Sequence, residues 1–567
     1  MTVDTLPANV QPATVEEAAA IEAARQQDET NVGVARATGV LALGNVASRV
    51  LGLAREIALT NLFGASGAVD AFNVAIIVPK ALYDLLIGGH VNSALIPVLS
   101  AVAAKQGRQE LWRLVSVLLS LTTVMLAVLV LVLELFASQI VGLVSGGSDA
   151  ETLALAAHLL RLTAPALICL SLFAVLSGAL YALRSFMWPA FAGAVFNGSI
   201  VLGTVLLAPQ LQVVSIVSGA SVQWALARPA AGITAAAIGW LIGSLVQLAL
   251  QMPGLKGARL RLTLHWRHPA IRQIAWLYAP VMFSLIMDTL VIRTFSYNLA
   301  SQTGEGGIAY MGWATTLIQF PQGLVATAIS IAILPPLAAQ AALTTLEGAQ
   351  AFKDTLGIGL RLAITLIVPA TVGLFVLATP IIDLLFEHGA FTAGDTAVTA
   401  IALRLYLVGL PFAALDLLLV YAFYARQDTL TPALIGLLSL TVYMVIAVAL
   451  LPRYGLFSLM IADSMKHIVH ATVSAYFLRR RTGGLGQQRL FLTSTKTGIA
   501  ALAMGVVAAL VLPLLARVIG TDGLLSELSL VVISGGLSAA VFLVLAVLLK
   551  IDELRWLGGL MRRRLAR

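Results

Sequence analysis

Apolar stretches of about twenty residues follow one another along nearly the whole of this 567-residue chain. Hydrophobic residues make up 59% of it and charged residues only 11%, with a mean hydropathy of +0.95. A soluble protein of this length needs far more polar surface. In lipid every backbone amide has to find its partner inside its own segment, so such a chain folds as transmembrane helices. Cut at Gly, Pro and charge clusters, the stretches predict an all-α polytopic membrane protein with about fourteen spans. The first six are expected at 37–62, 69–101, 111–137, 152–183, 187–208 and 230–251. The next six fall at 270–299, 307–340, 356–379, 395–424, 430–451 and 455–478, and the last two at 493–515 and 526–549. The second, fourth, eighth and tenth run long, so they are expected to tilt, kink or protrude.

Charge fixes the orientation. Most of the 35 Lys and Arg fall on one side of an even-numbered topology. That side takes Lys105, Arg108 and Arg113, then Lys256, Arg259, Arg261, Arg267 and Arg272. It continues through Lys353, Arg361, Arg426, Arg479–Arg481 and Arg489 to the tail from Lys550. The opposite loops hold Arg228, Arg453 and Arg517. The positive-inside rule then puts both termini in the cytoplasm. The net charge of +8 reflects this topology and attraction to anionic lipid rather than nucleic acid. Residues 1–33 hold no apolar run but carry Glu16, Glu17, Glu22, Asp28 and Glu29, which is no signal peptide. The single cysteine, Cys169, excludes an internal disulfide framework.

The chain also repeats itself. Leu160-Arg161-Leu162, followed by Tyr181-Ala-Leu-Arg184 and Pro189-Ala190, is echoed by Leu403-Arg404-Leu405, Tyr424-Ala-Arg426 and Pro432-Ala433. Ala94-Leu-Ile-Pro97 is echoed by Ala332-Ile-Leu-Pro335. The offset of roughly 240 residues corresponds to six spans. An even number keeps the halves in the same orientation, related by a pseudo-two-fold axis along the membrane normal, as in transporters that bind substrate between their lobes. The expected organisation is a flexible cytoplasmic tail (1–36), an N-lobe (37–255) and a C-lobe (256–480). Two appended spans (481–550) and a basic tail (551–567) complete it.

Against this apolar background, buried charges stand out. A charged side chain at membrane depth costs at least ~2.5–3.5 kcal/mol by insertion scales, yet Arg49 and Arg55 both lie in the first span. Six residues apart on a helix, they are separated by about 9 Å along the axis and ~120° around it, so they line adjacent faces of one cavity. Ser48 shares the face of Arg55, and Gly52 leaves room between the charges. An ion pair of Arg49 with Asp70 or Glu56 is the structural alternative. Asp70, Asn73 and Lys80 of the second span are further candidates, with Asp84 and Asn92 beyond them. Asp70 reads either as a lock on Arg49 or as a local helix cap. Lys80 follows Pro79, where a kink frees backbone groups to line a cavity. Deeper in the chain, Asp288 and Arg293 are too far round their helix to pair. Asp288 and Asp416 are candidates for coupling to a cation or proton, Asp463 and Lys466 for mutual neutralisation. Arg161 and Arg404, at equivalent repeat positions, point to a shared architectural role.

These motifs carry a family resemblance. The chain resembles the MurJ (MviN) lipid II flippases of the multidrug/oligosaccharidyl-lipid/polysaccharide exporter superfamily, from about Ala37 to Arg481. The pieces are Ser48-Arg49…Gly52…Arg55-Glu56, Leu62-Phe-Gly-Ala and Asp70-Ala-Phe72. Pro380-Ile-Ile…Phe386-Glu-His-Gly389-Ala-Phe-Thr392, Gly409-Leu-Pro411-Phe and Ala422-Phe-Tyr-Ala-Arg-Gln-Asp428-Thr-Leu-Thr-Pro432 complete them. The resemblance implies two six-helix lobes plus two helices forming a groove for a lipid tail. It further implies alternating access that moves a polyprenyl-pyrophosphate-linked peptidoglycan precursor outward across the bacterial cytoplasmic membrane. Arginine suits a pyrophosphate because its planar fork binds oxyanions bidentately and stays charged. Ser48, Arg49, Arg55, Asp70, Asn73, Lys80 and Arg293 are therefore the expected substrate-binding set.

Two departures bear on the substrate. The family pattern has an arginine two residues before the proline aligned with Pro79, where this chain has Ile77. It has another five residues before the proline of the Phe-Pro pair, where this chain has Thr316. Lys80 and Arg293 are placed to replace the missing cations. A flippase for another polyprenyl-pyrophosphate-linked glycan is thus the alternative, and a cation-coupled drug antiporter a more distant one. The chain has no Gly-x-x-x-x-Gly-Lys-Ser/Thr loop and no zinc-ligand spacing among its histidines. Transport without catalysis, without a metal or cofactor and as a monomer is expected, driven by membrane potential or a monovalent cation. The expected partners are the lipid-linked oligosaccharide and membrane lipids, not nucleic acid.

Overall fold

The computed structural model describes residues 39–41, 43–77, 79–80, 90–183, 185–207, 211–214, 221–224, 232–261, 263, 291–343, 345–521 and 523–554. Asp84, Arg184 and Asp288 lie outside the described residues, as does the side chain of Asn92. Among the described residues nine helices are long and apolar enough to cross a membrane, or ten if one bent pair counts as a single span.

The first lobe begins with α1 (residues 43–63) and α2 (Gly67–Ala75). Next, α3 (His90–Leu135) is two helices joined at Gly107, and a short α4 (Ala137–Val144) follows it. The bent pair is α5 (Ala150–Thr163) and α6 (Ala166–Ala182), which meet at 41° across Ala164-Pro165. Proline removes an amide donor and sterically bends the helix there. This is the kink expected of the long fourth span. The lobe ends with α7 (Met187–Leu207) and α8 (Thr234–Ala249). Between these two, β1 (Leu211–Val214) and β2 (Ser221–Trp224) form a small antiparallel pair, with Leu211 opposite Trp224. This small pair leaves the all-α class of the membrane fold intact: the connection is rich in β-branched residues and lies outside the apolar spans, where edge backbone can meet water.

The second lobe comprises α9 (Arg293–Ser301), α10 (Gly307–Pro321) and α11 (Ala328–Ala341). A π turn, Gln322–Thr327, separates α10 from α11, so the long eighth span is interrupted just after its proline. The lobe continues through α12 (Leu346–Val376), α13 (Ala378–Phe386) and α14 (Ala393–Ala425) to α15 (Leu430–Tyr454) and α16 (Phe457–Thr482). At 33 residues, α14 rises about 50 Å, well beyond the hydrocarbon thickness of about 30 Å, as expected of the long tenth span. Finally α17 (Leu490–Ile519) and α18 (Leu524–Leu548) pack on each other and against α12 and α13.

The repeat read from sequence recurs in detail. Short α4 and α13 occupy the same place in each lobe. Asp149 caps α5, accepting from the amides of Glu151 and Thr152 at 3.0 Å, and its bonds to Thr152 hold its carboxyl below the usual range. One repeat later, Thr392 caps α14 in a capping box with Asp395. Arg161 Nε donates to the Glu134 carbonyl at 3.3 Å; Arg404 Nε donates to the Phe375 carbonyl at 3.1 Å. Each arginine thus clamps the end of the preceding long helix, the architectural role expected of the pair.

Packing relies on small residues, as expected where lipid tails remove the hydrophobic drive between helices. A Cβ on Gly203 of α7 would lie 2.7 Å from the Gly239 Cα of α8. Trp240, next to that contact, packs edge-on against Phe72 and Phe196, joining α2, α7 and α8. The outer face of α17 presents Leu502, Val506, Leu510 and Leu514, each more than half exposed, as a lipid-facing stripe.

Because Arg404 also donates to Thr379 Oγ1 at 3.0 Å and is absent from the cavity lining, Arg404→Ala should lower the melting temperature of the purified protein by a few degrees, about 1 kcal/mol. Its affinity for transported lipid should not change. A lost affinity at unchanged stability would contradict the architectural role.

Candidate functional site

Between the lobes lies a cavity of about 580 Å³, within the roughly 300–1,000 Å³ range of ligand sites. From α1 it receives Ser48, Arg49, Arg55 and Glu56, because a six-residue spacing turns the two arginines onto adjacent helix faces. Asn73 reaches it from α2. That helix ends at Ala75, and Lys80, whose amide donates to Ile76 O at 2.7 Å, enters the cavity just past this break. Arg293 reaches it from α9 in the opposite lobe. The structure therefore brings together six of the seven expected substrate-binding residues. Ile77 is buried in the core, and Thr316 lines the wall as a neutral hydroxyl.

The two arginines of α1 are held differently. Arg55 donates to Glu56 at 2.5 and 3.2 Å and to Asn197 Oδ1 at 3.0 Å. Asn197 is fixed in turn by donating to the Gly193 and Ser48 carbonyls. Arg49 pairs with neither Asp70 nor Glu56 as its hydrogen-bond partner; it reaches across to the Gln319 carbonyl of α10 at 3.4 Å. Its guanidinium rests against Gly323 in the π turn, where a Cβ would come within 2.5 Å of it. Asn197 was not singled out from sequence, although a lone amide in an apolar span is the signal that marks an interhelical bond.

Further charge enters from α16. Lys466 and Asp463 line the cavity as an ion pair at 2.5 Å, so the mutual neutralisation read from their spacing is present. Lys466 lies over the Tyr443 ring, 5.7 Å from its centre, and the Tyr443 hydroxyl shares a 2.6 Å bond with Ser296. Among the described residues the lining thus holds five cations (Arg49, Arg55, Lys80, Arg293, Lys466) and two carboxylates (Glu56, Asp463). Asp416 is absent from the lining; it is hydrogen-bonded to His470 Nδ1 between α14 and α16.

Asp70 takes a role that differs from each expectation. Its buried carboxylate accepts from the Ala309 amide at 2.8 Å, with the Gly306 and Ile308 amides turned toward it. It therefore caps α10, a helix of the other lobe, instead of its own helix, and it neither locks Arg49 nor lines the cavity. A helix N-terminus combines unsatisfied amides with positive dipole, which makes it the natural seat for a buried carboxylate. Gly306, at φ 77°, approaches so closely that a Cβ would meet Ala65 O at 2.8 Å.

Other joins lie at the same end of the molecule. The Ala390 amide donates to Asn61 O at 2.8 Å, beside Gly389, whose φ of 66° and close approach to Asn61 exclude a side chain. Asn298 Nδ2 donates to Leu143 O at 3.0 Å, and the Gly147 amide to Ser301 Oγ at 3.1 Å. Tyr310 ties α10 to the α14 capping box through Asp395 at 2.5 Å. The first three of these contacts join the two lobes on the side with the cation-poor loops.

A family model described as "Lipid II flippase MurJ" matches residues 59–529. A lipid II flippase MurJ of Burkholderia cenocepacia is 32% identical over 400 residues, covering 69% of this chain and 73% of that protein. A probable lipid II flippase MurJ of Haemophilus influenzae is 30% identical over 487 residues, covering 81% and 89%. Among solved structures, "Lipid II flippase MurJ, inward closed conformation" superposes with a TM-score of 0.72 at 23% identity, covering 93% of this chain and 99% of that one. An inward-facing multidrug resistance MATE family transporter of the MOP superfamily follows at 0.62 and 15%, covering 77% and 96%. At these identities the structural likeness establishes the fold.

The seam makes a direct prediction. In a Cys169→Ser background, a cysteine at Met311, which lines the cavity, should react several-fold faster with a membrane-impermeant maleimide added at the sealed side once Asp70→Ala removes the cap, a loss of about 1–3 kcal/mol. Unchanged labelling would remove Asp70 from the seal.

Proposed function

The chain belongs to the lipid II flippase MurJ family, and on that premise we propose that it carries lipid II from the inner to the outer face of the cytoplasmic membrane by alternating access. The observation that supports this most is the cavity between the lobes, with its five cations against two carboxylates among the described residues. A lipid-linked oligosaccharide offers a pyrophosphate and sugar hydroxyls to such a wet cavity while its chain stays in the bilayer. Guanidinium forks match phosphate oxygens two at a time. Arg55 is already shared between Glu56 and Asn197, whereas the contact of Arg49 with the Gln319 carbonyl is long at 3.4 Å. Arg49 is therefore the first to turn toward an incoming phosphate, with Arg55 and Lys80 of the same lobe completing the anion seat.

Loading occurs from the cytoplasm in this reading, with both termini on that side by the positive-inside rule. The Asp70 cap on α10 is the outer seal that opens to release the headgroup. The work is transport by a monomer, without catalysis or a cofactor. An inside-negative potential favours outward movement of an anionic headgroup by about 2.3 kcal/mol per charge per 100 mV, and membrane potential is the proposed drive. A monovalent cation is the alternative, with Asp416 and Asp288 as its candidate residues. Thr316 in the cavity wall, where the family pattern has arginine, favours one second reading, a flippase for a different polyprenyl-pyrophosphate-linked glycan. A drug antiporter fits poorly, since the excess of positive charge would repel cationic drugs.

The test is rescue of a strain depleted of its lipid II flippase, with the precursor assayed by accessibility labelling at the outer face. The wild-type chain should restore outward lipid II. Arg49→Ala should reduce it about tenfold or more, the value of one charge-assisted phosphate contact, at normal expression. A folded wild-type chain that fails to rescue would overturn the assignment.

A further inference from the structure

The cavity has two charged walls, and pyrophosphate accounts for one of them. Arg49, Arg55 and Lys80 belong to the first lobe. Across the cavity, the second lobe presents Arg293, Tyr443, Asp463 and Lys466, and the chemistry of this wall differs. Lys466 is bound at 2.5 Å by Asp463 Oδ1, while His467 Nε2 sits 3.6 Å from the other carboxylate oxygen. Neither charged side chain is sealed off: Lys466 is 24% exposed and Asp463 26%. The pair therefore offers the cavity an ammonium and a carboxylate side by side. A bare cation would suit another phosphate. An ion pair with both heads reachable suits a group that also carries both charges, or a carboxylate beside an amide, because each partner can exchange part of its bond without leaving a lone buried charge.

The neighbouring residues extend the same surface. Ser296, one turn along α9 from Arg293, is bonded at 2.6 Å to the Tyr443 hydroxyl. Lys466 lies over the face of that ring, and Phe295 packs against it edge-on at 6.1 Å. Tyr443, only 4% exposed, is thus fixed from both sides and supports Lys466 from beneath. A rigid support of this kind keeps the ion pair in place and lowers the entropic cost of binding a partner.

We propose that the Asp463–Lys466 pair, with Tyr443 and Arg293, forms a second subsite that binds the amino-acid groups of the peptide carried by the lipid-linked sugar, separate from the pyrophosphate seat on α1. This rests on the flippase reading above and names which part of the substrate the second lobe recognises. The subsite makes the protein selective for peptide-bearing precursors even though the arginines expected at the positions of Ile77 and Thr316 are missing. The pyrophosphate seat alone would accept any polyprenyl pyrophosphate.

Two probes separate the walls: lipid II with its full pentapeptide, and undecaprenyl pyrophosphate without sugar or peptide. Affinities are measured on the full-length protein in nanodiscs. Lys466→Gln and Asp463→Asn should each weaken lipid II about tenfold, the scale of one charge-assisted hydrogen bond, and leave undecaprenyl pyrophosphate within about twofold. Arg49→Ala should weaken both. The exchange variant Asp463→Lys/Lys466→Asp keeps an ion pair and so preserves folding; it should still bind lipid II weakly. Equal weakening of both probes, no weakening of either, or full recovery of lipid II in the exchange variant would overturn the subsite and leave the flippase reading standing. Failure of the wild-type protein to bind either probe would overturn both.

Discussion

An ionised side chain at membrane depth has to be paired, bonded to backbone or turned toward water, and this requirement sorts the charges of the protein into roles. Arg161 and Arg404 satisfy it with backbone carbonyls at helix ends. Asp416 satisfies it against His470, and Asp70 against the amides of a helix in the other lobe. A further set, Arg49, Arg55, Glu56, Lys80, Arg293, Asp463 and Lys466, lines one cavity between the lobes. Within it Arg55 pairs with Glu56 and Lys466 with Asp463, so cations outnumber carboxylates among the described lining residues.

The seal and the cavity are connected through α10. Its N-terminus is held by Asp70, and Arg49 touches the Gln319 carbonyl near its other end. Below Pro321 the helix gives way to the π turn, a break that commonly marks functional positions. The Arg49 contact and the Asp70 cap thus bear on one and the same helix. The polar bonds at this end lie beside a continuous apolar core shared by both lobes, which includes Leu59, Phe72, Ile308 and Trp313.

Much of this was legible in the chain. Span limits agree closely for α7, α8, α15 and α16, because long apolar runs bounded by Gly, Pro and charge leave little freedom. Kinks were foreseeable where a span exceeded the membrane and contained proline. The ninth span was harder: it was expected from 356, but α12 begins at Leu346, since a helix can extend beyond lipid where hydropathy gives no signal. Short α4 and α13 were hidden for a related reason, being too brief to register as apolar spans of their own. For the site, helical periodicity sufficed to put Arg49 and Arg55 on one cavity.

What periodicity cannot give is the partner of a residue in a distant span. Sequence alone determined the membrane class, the repeat, the family resemblance and which residues are costly to bury, since each follows from local composition, spacing or motif. Only the tertiary structure decided that Asp70 caps α10 instead of Arg49 or its own helix, that Asn197 holds Arg55, and that Lys466 faces the cavity while Asp416 does not. The physical reason is common to all of these. A helix fixes the direction of a side chain to within a face, but which charge or backbone group waits there depends on how the two lobes pack.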